Sequence, residues 1–211
     1  QMQATDYISA GLTGTDAESV LTQIFTHIPQ DSFGQGVQDG DIVIKLPHGA
    51  GFQLWLNPKT AQPKLELLVS KCTLSKNILW NKNLIEHGLG FISINTRESF
   101  IPQMINLPQC GGVSFSKGCY TGQEIVARMQ YLGKNKRALF SLSTEAISSL
   151  PADEVIEKQL GDNWRKAGDM TAYYQSDDGQ CYLQAILSSD VDETTPLRLK
   201  SQPEIEVKVQ A

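Results

Sequence analysis

The sequence has little from which a metal centre or a disulfide framework could be built. Its 211 residues include four cysteines and three histidines, but no C-x-x-C pair and no histidines at ligand spacing. Structural zinc sites and disulfide-rich folds both depend on such clusters. We therefore expect no metal site held by this chain. The scattered cysteines of a chain this long are typical of proteins from the reducing cytoplasm.

The chain also lacks a surplus of basic residues. It has 18 lysines and arginines against 23 acidic residues, a net charge of −5. General nucleic-acid binders need excess positive charge to displace counterions, so direct nucleic-acid binding is not expected of the chain as a whole, although a local basic patch remains open. No apolar run approaches the ~18 residues of a membrane span, and the start, "QMQATDY", lacks the features of a signal peptide. We expect a cytoplasmic protein without a membrane partner.

The first half of the chain alternates strand and helix signals. A capping box at Thr15 and Glu18 predicts the start of a helix. Residues 41–46 and 51–56 have the pattern of two strands, and a helix with Pro63 near its first turn follows them. The turn-rich stretch between the first helix and these strands is interpreted as a break. This β-α-β-β-α order predicts a ferredoxin-like α/β unit.

The last third of the chain has only strand signals. Short alternating runs follow one another from residue 137, with "SDDGQ" as a tight hairpin turn, and together they predict a small antiparallel β-barrel. Before the barrel, a helix carrying Trp80 should end at Gly88, a typical C′ residue. The predicted fold class is α+β, with an α/β region at 1–136 and the barrel at 137–211.

The stretch "SFSKGCYTGQEIVARMQYLGKNKRALF" is unlike the rest of the chain. Thr121 and Glu124 form a capping box, which predicts a helix that begins at Gly122. The apolar spacing along this helix predicts one buried face, formed by Ile125, Val126, Met129 and Leu132. The basic cluster "GKNKR" after it is typical of a solvated helix end, and contact with phosphate or RNA is the alternative.

Cys119 stands just before this predicted helix, between Gly118 and Gly122 and close to Lys117. The positive end of a helix dipole and a nearby lysine both favour a thiolate, so we expect its pKa to move from about 8.5 toward neutrality. The flanking glycines would let a ligand or another backbone come close. The alternative is a small, inert cysteine at a loop–helix junction.

The motif "KGCYTGQE", with "GGVSF" before it and "VAR", "YLGK" and "KR" after it, resembles the signature of the folate-binding YgfZ family. That family is similar in fold to aminomethyltransferase, the T-protein of the glycine cleavage system. The resemblance implies an aminomethyltransferase-like fold, tetrahydrofolate or a folate derivative as cofactor, and support of iron–sulfur enzymes, including tRNA-modifying ones. The family also has a further N-terminal segment, so residue 1 is expected to enter partway through its fold.

The resemblance also implies roles for particular residues. Cys119 matches the family's essential cysteine, Trp80 matches a folate-contacting tryptophan, and Glu86, in "LIEHG", matches a glutamate that faces the pterin. On the residues alone, a tryptophan in a helix is more typical of the core. Further folate contacts are expected from the motif, at Lys117, Tyr120, Gln123, Glu124 and Arg128.

These observations favour a folate-binding accessory protein that supports iron–sulfur cluster assembly or repair, and through it tRNA modification. Its partners would be folate and iron–sulfur client enzymes, and whether it is itself an enzyme stays open. The first alternative is a folate-dependent aminomethyl transferase, although Leu84 stands where those enzymes have an arginine. The second is a non-catalytic interaction module whose cysteine is structural.

Overall fold

The structure is a computed structural model that describes residues 6–90, 92, 96–145, 147, 149–177 and 179–210, without the side chains of residues 77 and 78. The chain divides into two compact units, Gln1–Asn77 and Ile78–Ala211, which we treat separately. This division differs from the sequence-based domain boundary after residue 136, which stays a prediction. Within the described ranges, none of the helices combines the length and apolar character that crossing a membrane requires.

The first unit is an antiparallel sheet with helices, in the strand order β1-β4-β3-β2. Alternate residues of its strands point to the same face, and those of one face build the core with the helices. Val43, Leu54 and Leu56 are fully buried there, as is Leu21 from α1, and Leu68 from α2 is also buried. The elements are β1 Ile8–Leu12, α1 Ala17–Leu21, β2 Gln35–Gln38, β3 Asp41–Lys45, β4 Phe52–Leu56 and α2 Ala61–Lys71.

Two expectations for this unit are wrong. The stretch interpreted as a break contains β2, because Asp39 and Gly40 both have positive φ (53° and 83°) and form the two-residue hairpin turn that pairs Gln38 with Asp41. The capping box at Thr15 does not form, since the N-cap of α1 is Asp16 and makes no side-chain hydrogen bond. The predicted strands at 41–46 and 51–56 are confirmed as β3 and β4.

The second unit contains the predicted barrel, which is confirmed. In the described part of the chain, its strands close in the order β10-β5-β8-β7-β6-β9, with antiparallel pairing throughout. Its core includes the fully buried Leu142, Ile156, Leu183, Leu187 and Leu199. The strands are β5 Arg137–Glu145, β6 Val155–Leu160, β7 Asn163–Gln175, β8 Gln180–Ser188, β9 Leu197–Leu199 and β10 Glu206–Val209.

Helix α3 (Asn77–Glu86) ends as predicted. Gly88 has φ 64°, its N–H donates to the Ile85 carbonyl (3.0 Å), and the N–H of Leu89 donates to the Leu84 carbonyl (2.9 Å), the paired bonds of a Schellman motif. The Ser141 hydroxyl donates to the Ile85 carbonyl at 2.7 Å. The C-terminal end of α3 is therefore fixed to barrel strand β5.

Helix α4 (Gln123–Tyr131) differs from its prediction at its start. Its N-cap is Gly122, with φ 88° and no side-chain cap bond, so the capping box of Thr121 and Glu124 does not form. The side-chain oxygen of Gln123 instead accepts the N–H of Tyr120 at 3.4 Å. A positive φ suits glycine, which has no Cβ to clash, and this explains why Gly122 rather than Thr121 stands at the helix start.

The predicted buried face of α4 is also wrong. Val126 is buried, but Ile125 is 58% exposed and Leu132 86% exposed. The helix is held on the Val126 side by a short 3₁₀ helix, Pro102–Ile105, where the buried Gln103 donates from Nε2 to the Val126 carbonyl at 2.6 Å. Helix α4 and its C-cap residue therefore carry large apolar side chains that are exposed to solvent.

Candidate functional site

A cavity of about 480 Å³ opens at the C-terminal end of α3. Pockets of a few hundred Å³ that combine apolar walls with a few polar groups are typical of small-molecule sites. The apolar part of this cavity's wall comes from Leu139 and Phe140, two neighbouring residues of β5. The remainder of the wall is formed by polar side chains and backbone atoms. The lining residues are Glu86, Gly88, Asn106, Leu139, Phe140, Ser141 and Gln210.

The backbone around this cavity is tightly fixed. Asn106 ends the 3₁₀ helix in the left-handed conformation (φ 59°), and its side-chain amide donates to the Gly88 carbonyl at 3.4 Å. At Gly90 the chain passes so close to Ile105 that an added Cβ would lie 2.7 Å from the Ile105 carbonyl oxygen. Glycine is therefore required there, and the end of α3 and the end of the 3₁₀ helix form one rigid wall.

Glu86, the predicted pterin-facing residue, lies in this cavity wall and pairs with a cation. The Lys82 ammonium lies 3.6 Å from its carboxylate and 4.6 Å from the ring centroid of Tyr182. Burial by itself would lower the pKa of Lys82, but the charge of Glu86 and a hydrogen bond with Tyr182 outweigh it, so the pKa is raised. Lys82 therefore stays protonated at physiological pH and adds a fixed positive charge beside Glu86.

Trp80 and Glu86 do not share this cavity, since Trp80 is not among its lining residues. Six positions separate the two residues along α3, which places them about 120° apart around the helix axis. Trp80 is half-buried. The role of Trp80 as a platform for folate therefore stays a prediction, and the cavity gives it no support because Trp80 does not line it.

Cys119 is exposed, in contrast to two of the other three cysteines. Cys110 and Cys181 are 3% and 0% exposed. Burial raises the pKa of the Cys110 thiol and raises the pKa of Cys181 to about 11. Cys72 is half-buried. A thiol reagent or partner in solution can therefore reach Cys119 directly, whereas the two buried thiols are shielded and hard to ionise.

The remaining predicted contacts lie in the segment that contains Cys119 and in helix α4, and they do not line the cavity. Gln123 is half-buried, and the others are exposed: Lys117, Tyr120, Glu124 and Arg128. None of them is among the residues that line the cavity at α3. The predicted site residues therefore fall into two groups, one at the end of α3 and one at the start of α4, and their joint action on one ligand stays a prediction.

Sequence reasoning missed most of the cavity. Leu139, Phe140 and Ser141 lie in the middle of a strand pattern that has no distinguishing feature, and Gln210 follows the last strand. Asn106 had a signal, because asparagine is one of the few residues that tolerate a left-handed backbone. Among the residues that the structure describes, no group of three or more His, Cys, Asp or Glu side chains is arranged to hold a metal ion.

Comparison with solved structures identifies the fold. The glycine cleavage system aminomethyltransferase T from Bartonella henselae matches with a TM-score of 0.59 and 13% sequence identity, over 92% of this chain and 55% of that chain. At this identity the likeness concerns the fold alone. The chain has an aminomethyltransferase-like α+β fold with a C-terminal antiparallel barrel, as the sequence predicted.

Comparison with characterised sequences identifies the family. Residues 135–202 match the family described as "YgfZ, beta-barrel domain". The protein named "tRNA-modifying protein YgfZ" from Colwellia psychrerythraea is 45% identical over 194 residues, 90% of this chain and 58% of the relative. The protein of the same name from Yersinia enterocolitica is 36% identical over 97% of this chain and 62% of the relative. The chain is therefore a homologue of these YgfZ proteins over nine tenths or more of its own length, and it spans about three fifths of the length of these relatives.

Proposed function

We propose that this chain carries the folate-contacting wall and the reactive thiol of a YgfZ-type accessory protein, which supports iron–sulfur enzymes and thereby tRNA modification. The role in tRNA modification is supported by relatives named "tRNA-modifying protein YgfZ". The folate part rests on one observation in the structure, the cavity at the end of α3 with Glu86 in its wall.

The residues of this cavity suit a pterin ring. A pterin is flat, so Leu139 and Phe140 can pack against its apolar faces. Its edge carries an amino group and a ring N–H side by side, which match the two oxygens of the Glu86 carboxylate. Asn106, Ser141 and Gln210 can bond the other ring nitrogens and oxygens. Tetrahydrofolate would supply the one-carbon or redox chemistry of its pterin when bound.

The contacts expected from the motif complete this proposal. The carboxylates of the folate tail would pair with Lys117 and Arg128, both exposed, because charge-assisted hydrogen bonds are the stronger ones. Three further residues are proposed as polar contacts or as orienting groups around the tail, namely Tyr120, Gln123 and Glu124. Trp80 is retained as a proposed stacking platform, on the family resemblance alone.

Cys119 is the proposed reactive group, acting as a redox thiol or as a transient ligand of an iron–sulfur cluster. Its exposure supports this role and opposes the alternative of a structural cysteine. A cysteine kept for packing would be expected to resemble Cys110 or Cys181, which are buried in the second unit. The iron–sulfur enzymes that depend on the thiol are the proposed partners.

Calorimetric titration of tetrahydrofolate into the whole chain tests the folate proposal. Glu86→Gln should weaken binding by about tenfold or more, because a hydrogen bond to a charged group contributes about 1.5–3 kcal/mol. Glu193→Gln is the matched control, since Glu193 is exposed on the barrel outside the cavity, and it should bind like wild type. Equal affinities of all three proteins would show that Glu86 does not contact the ligand, and absence of binding by wild type would refute folate binding by this chain.

A further inference from the structure

The C-terminal end of α4 presents an exposed group of aromatic and basic side chains, and of these the folate proposal uses Arg128 alone. Tyr131 is 69% exposed and Phe115 38% exposed, and their rings meet edge to face with centroids 6.0 Å apart. Basic residues stand on the last turn of α4 and directly after it. We call this group the α4-end surface, and it consists of Phe115, Arg128, Tyr131, Leu132, Lys134 and Lys136.

This surface is not the side by which α4 is held to the protein. The helix packs through Val126 and the bond from Gln103 to the Val126 carbonyl, whereas Tyr131 and Leu132 are among the most exposed large side chains of the second unit. Single exposed apolar residues are ordinary, but a contiguous group of them marks an interaction site. The α4-end surface therefore has the exposure of a binding surface.

The charge of this segment is opposite to that of the rest of the chain. Residues 114–136 contain four basic residues and one acidic residue, a net charge of +3, while the whole chain carries −5. The remaining residues therefore carry −8. Positive charge in residues 114–136 is therefore concentrated in the segment that carries the exposed rings of Phe115 and Tyr131. Such a surface is complementary in charge to an anionic partner. The net charge of the whole chain does not exclude such a local site.

We propose that the α4-end surface binds single-stranded RNA. The Tyr131 ring, which is in edge-to-face contact with Phe115, would stack on a base, while Arg128, Lys134 and Lys136 would contact the flanking phosphates. Aromatic platforms beside basic side chains are the common means of binding single strands without sequence preference. A protein partner is favoured less, because lysine is depleted in protein interfaces, whereas it is a common phosphate ligand. This inference goes beyond the proposed function and does not depend on folate binding.

The test separates stacking from apolar contact by two substitutions at Tyr131. Fluorescence anisotropy of a labelled oligouridylate of about 12 nucleotides measures RNA binding, at low salt and without folate. Tyr131→Leu keeps apolar area but removes the ring, and should weaken binding at least about fivefold, whereas Tyr131→Phe should stay within about twofold of wild type. Tyr173→Leu is the matched control on β7, 38% exposed, and should bind like wild type.

The basic residues are tested by the salt dependence of the same binding. Replacing both Lys134 and Lys136 by glutamine should reduce the slope of log affinity against log salt by about 1.4, because each lost phosphate contact removes about 0.7 for a single strand. Lys208→Gln, with a side chain 71% exposed on β10, is the control and should leave the slope unchanged. This salt dependence tests the RNA proposal independently of the Tyr131 variants, so the proposal remains testable if one of those variants folds poorly.

Several outcomes would overturn the proposal. Absence of oligouridylate binding by wild type at low salt refutes it, and so does a Tyr131→Leu variant that binds like wild type. If these substitutions impair iron–sulfur enzymes in cells while RNA binding is unchanged, the surface docks a protein and the RNA proposal is wrong. Because folate is absent from the assay, failure of the folate proposal would not alter any of these results.

Discussion

The accessibility of the four cysteines gives a sharp test of the structure around Cys119. Iodoacetamide reacts with thiolates, so a thiol must be both ionised and reachable. With a pKa of about 11, Cys181 has about one thiol in a thousand ionised near pH 8, whereas an ordinary cysteine with a pKa near 8.5 has roughly a quarter. Ionisation alone therefore slows Cys181 on the order of a hundredfold relative to an ordinary thiol, and its complete burial slows it further.

Peptide mapping by mass spectrometry after timed alkylation measures all four rates in one protein. We expect Cys119 to react first, Cys72 at an intermediate rate, the buried Cys110 more slowly than either, and Cys181 more than about a hundredfold slower than Cys119. In denaturing urea the four rates should converge, which shows that the differences come from the fold. If Cys110 or Cys181 reacts within about tenfold of Cys119 in the folded protein, the burial reasoning is wrong.

A second prediction for Cys119 concerns the function of its thiol. Cys119→Ser replaces an exposed side chain, so it should shift the free energy of unfolding by no more than about 0.5 kcal/mol while abolishing the support of iron–sulfur enzymes in cells. Cys72→Ser is the control with a less accessible thiol and should retain that support. A Cys119→Ser protein that still supports these enzymes would refute the proposed role of the thiol.

Two further predictions concern stability. Because the pKa of Cys181 is raised to about 11 in the folded protein, the unfolded chain loses this proton first, so the free energy of unfolding is unaffected below about pH 8.5 and falls by up to about 1.4 kcal/mol per pH unit above it. Urea unfolding of wild type and Cys181→Ala should be measured between about pH 8.5 and the Cys181 pKa of about 11. The free energy of unfolding should fall more steeply with pH in wild type, and equal pH dependence in the two proteins would contradict the prediction. Gly90→Ala would place a Cβ 2.7 Å from the Ile105 carbonyl oxygen, so it should lower the free energy of unfolding by about 1–3 kcal/mol in the same urea assay. Gly118→Ala is the control, because an added Cβ at Gly118 meets nothing within 4 Å. It should change the free energy of unfolding by no more than about 0.5 kcal/mol.

The barrel could be predicted from the sequence because its signals are local. Each strand alternates apolar and polar residues, and the described residues around Ser176 and Gly179 make the expected turn, with the Gly179 N–H donating to the Ser176 carbonyl at 3.2 Å. Strand β2 also had a local signal, the Asp39-Gly40 pair, but its own residues are glutamine, glycine and valine. Its pairing with β3, rather than its own propensity, makes it a strand.

The start and the faces of α4 could not be predicted in this way. The capping-box spacing of Thr121 and Glu124 is real, but the backbone enters the helix through a positive φ at Gly122, and a sequence pattern does not report φ. Apolar periodicity also does not distinguish a face that packs inside the chain from one that faces outward. Ile125 and Leu132 have the spacing of core residues and yet are exposed, and Leu132 belongs to the α4-end surface that we assign to a partner.

One short element connects the two proposed sites. The 3₁₀ helix Pro102–Ile105 holds α4 through Gln103, which bonds the Val126 carbonyl at 2.6 Å and lies buried. Immediately after that helix, Asn106 lines the cavity and bonds the Gly88 carbonyl. A ligand that contacts Asn106 therefore touches a segment three residues from the one that holds α4. The wall of the cavity and the helix that follows Cys119 therefore contact the same short segment, although the residues that form them are far apart in the sequence.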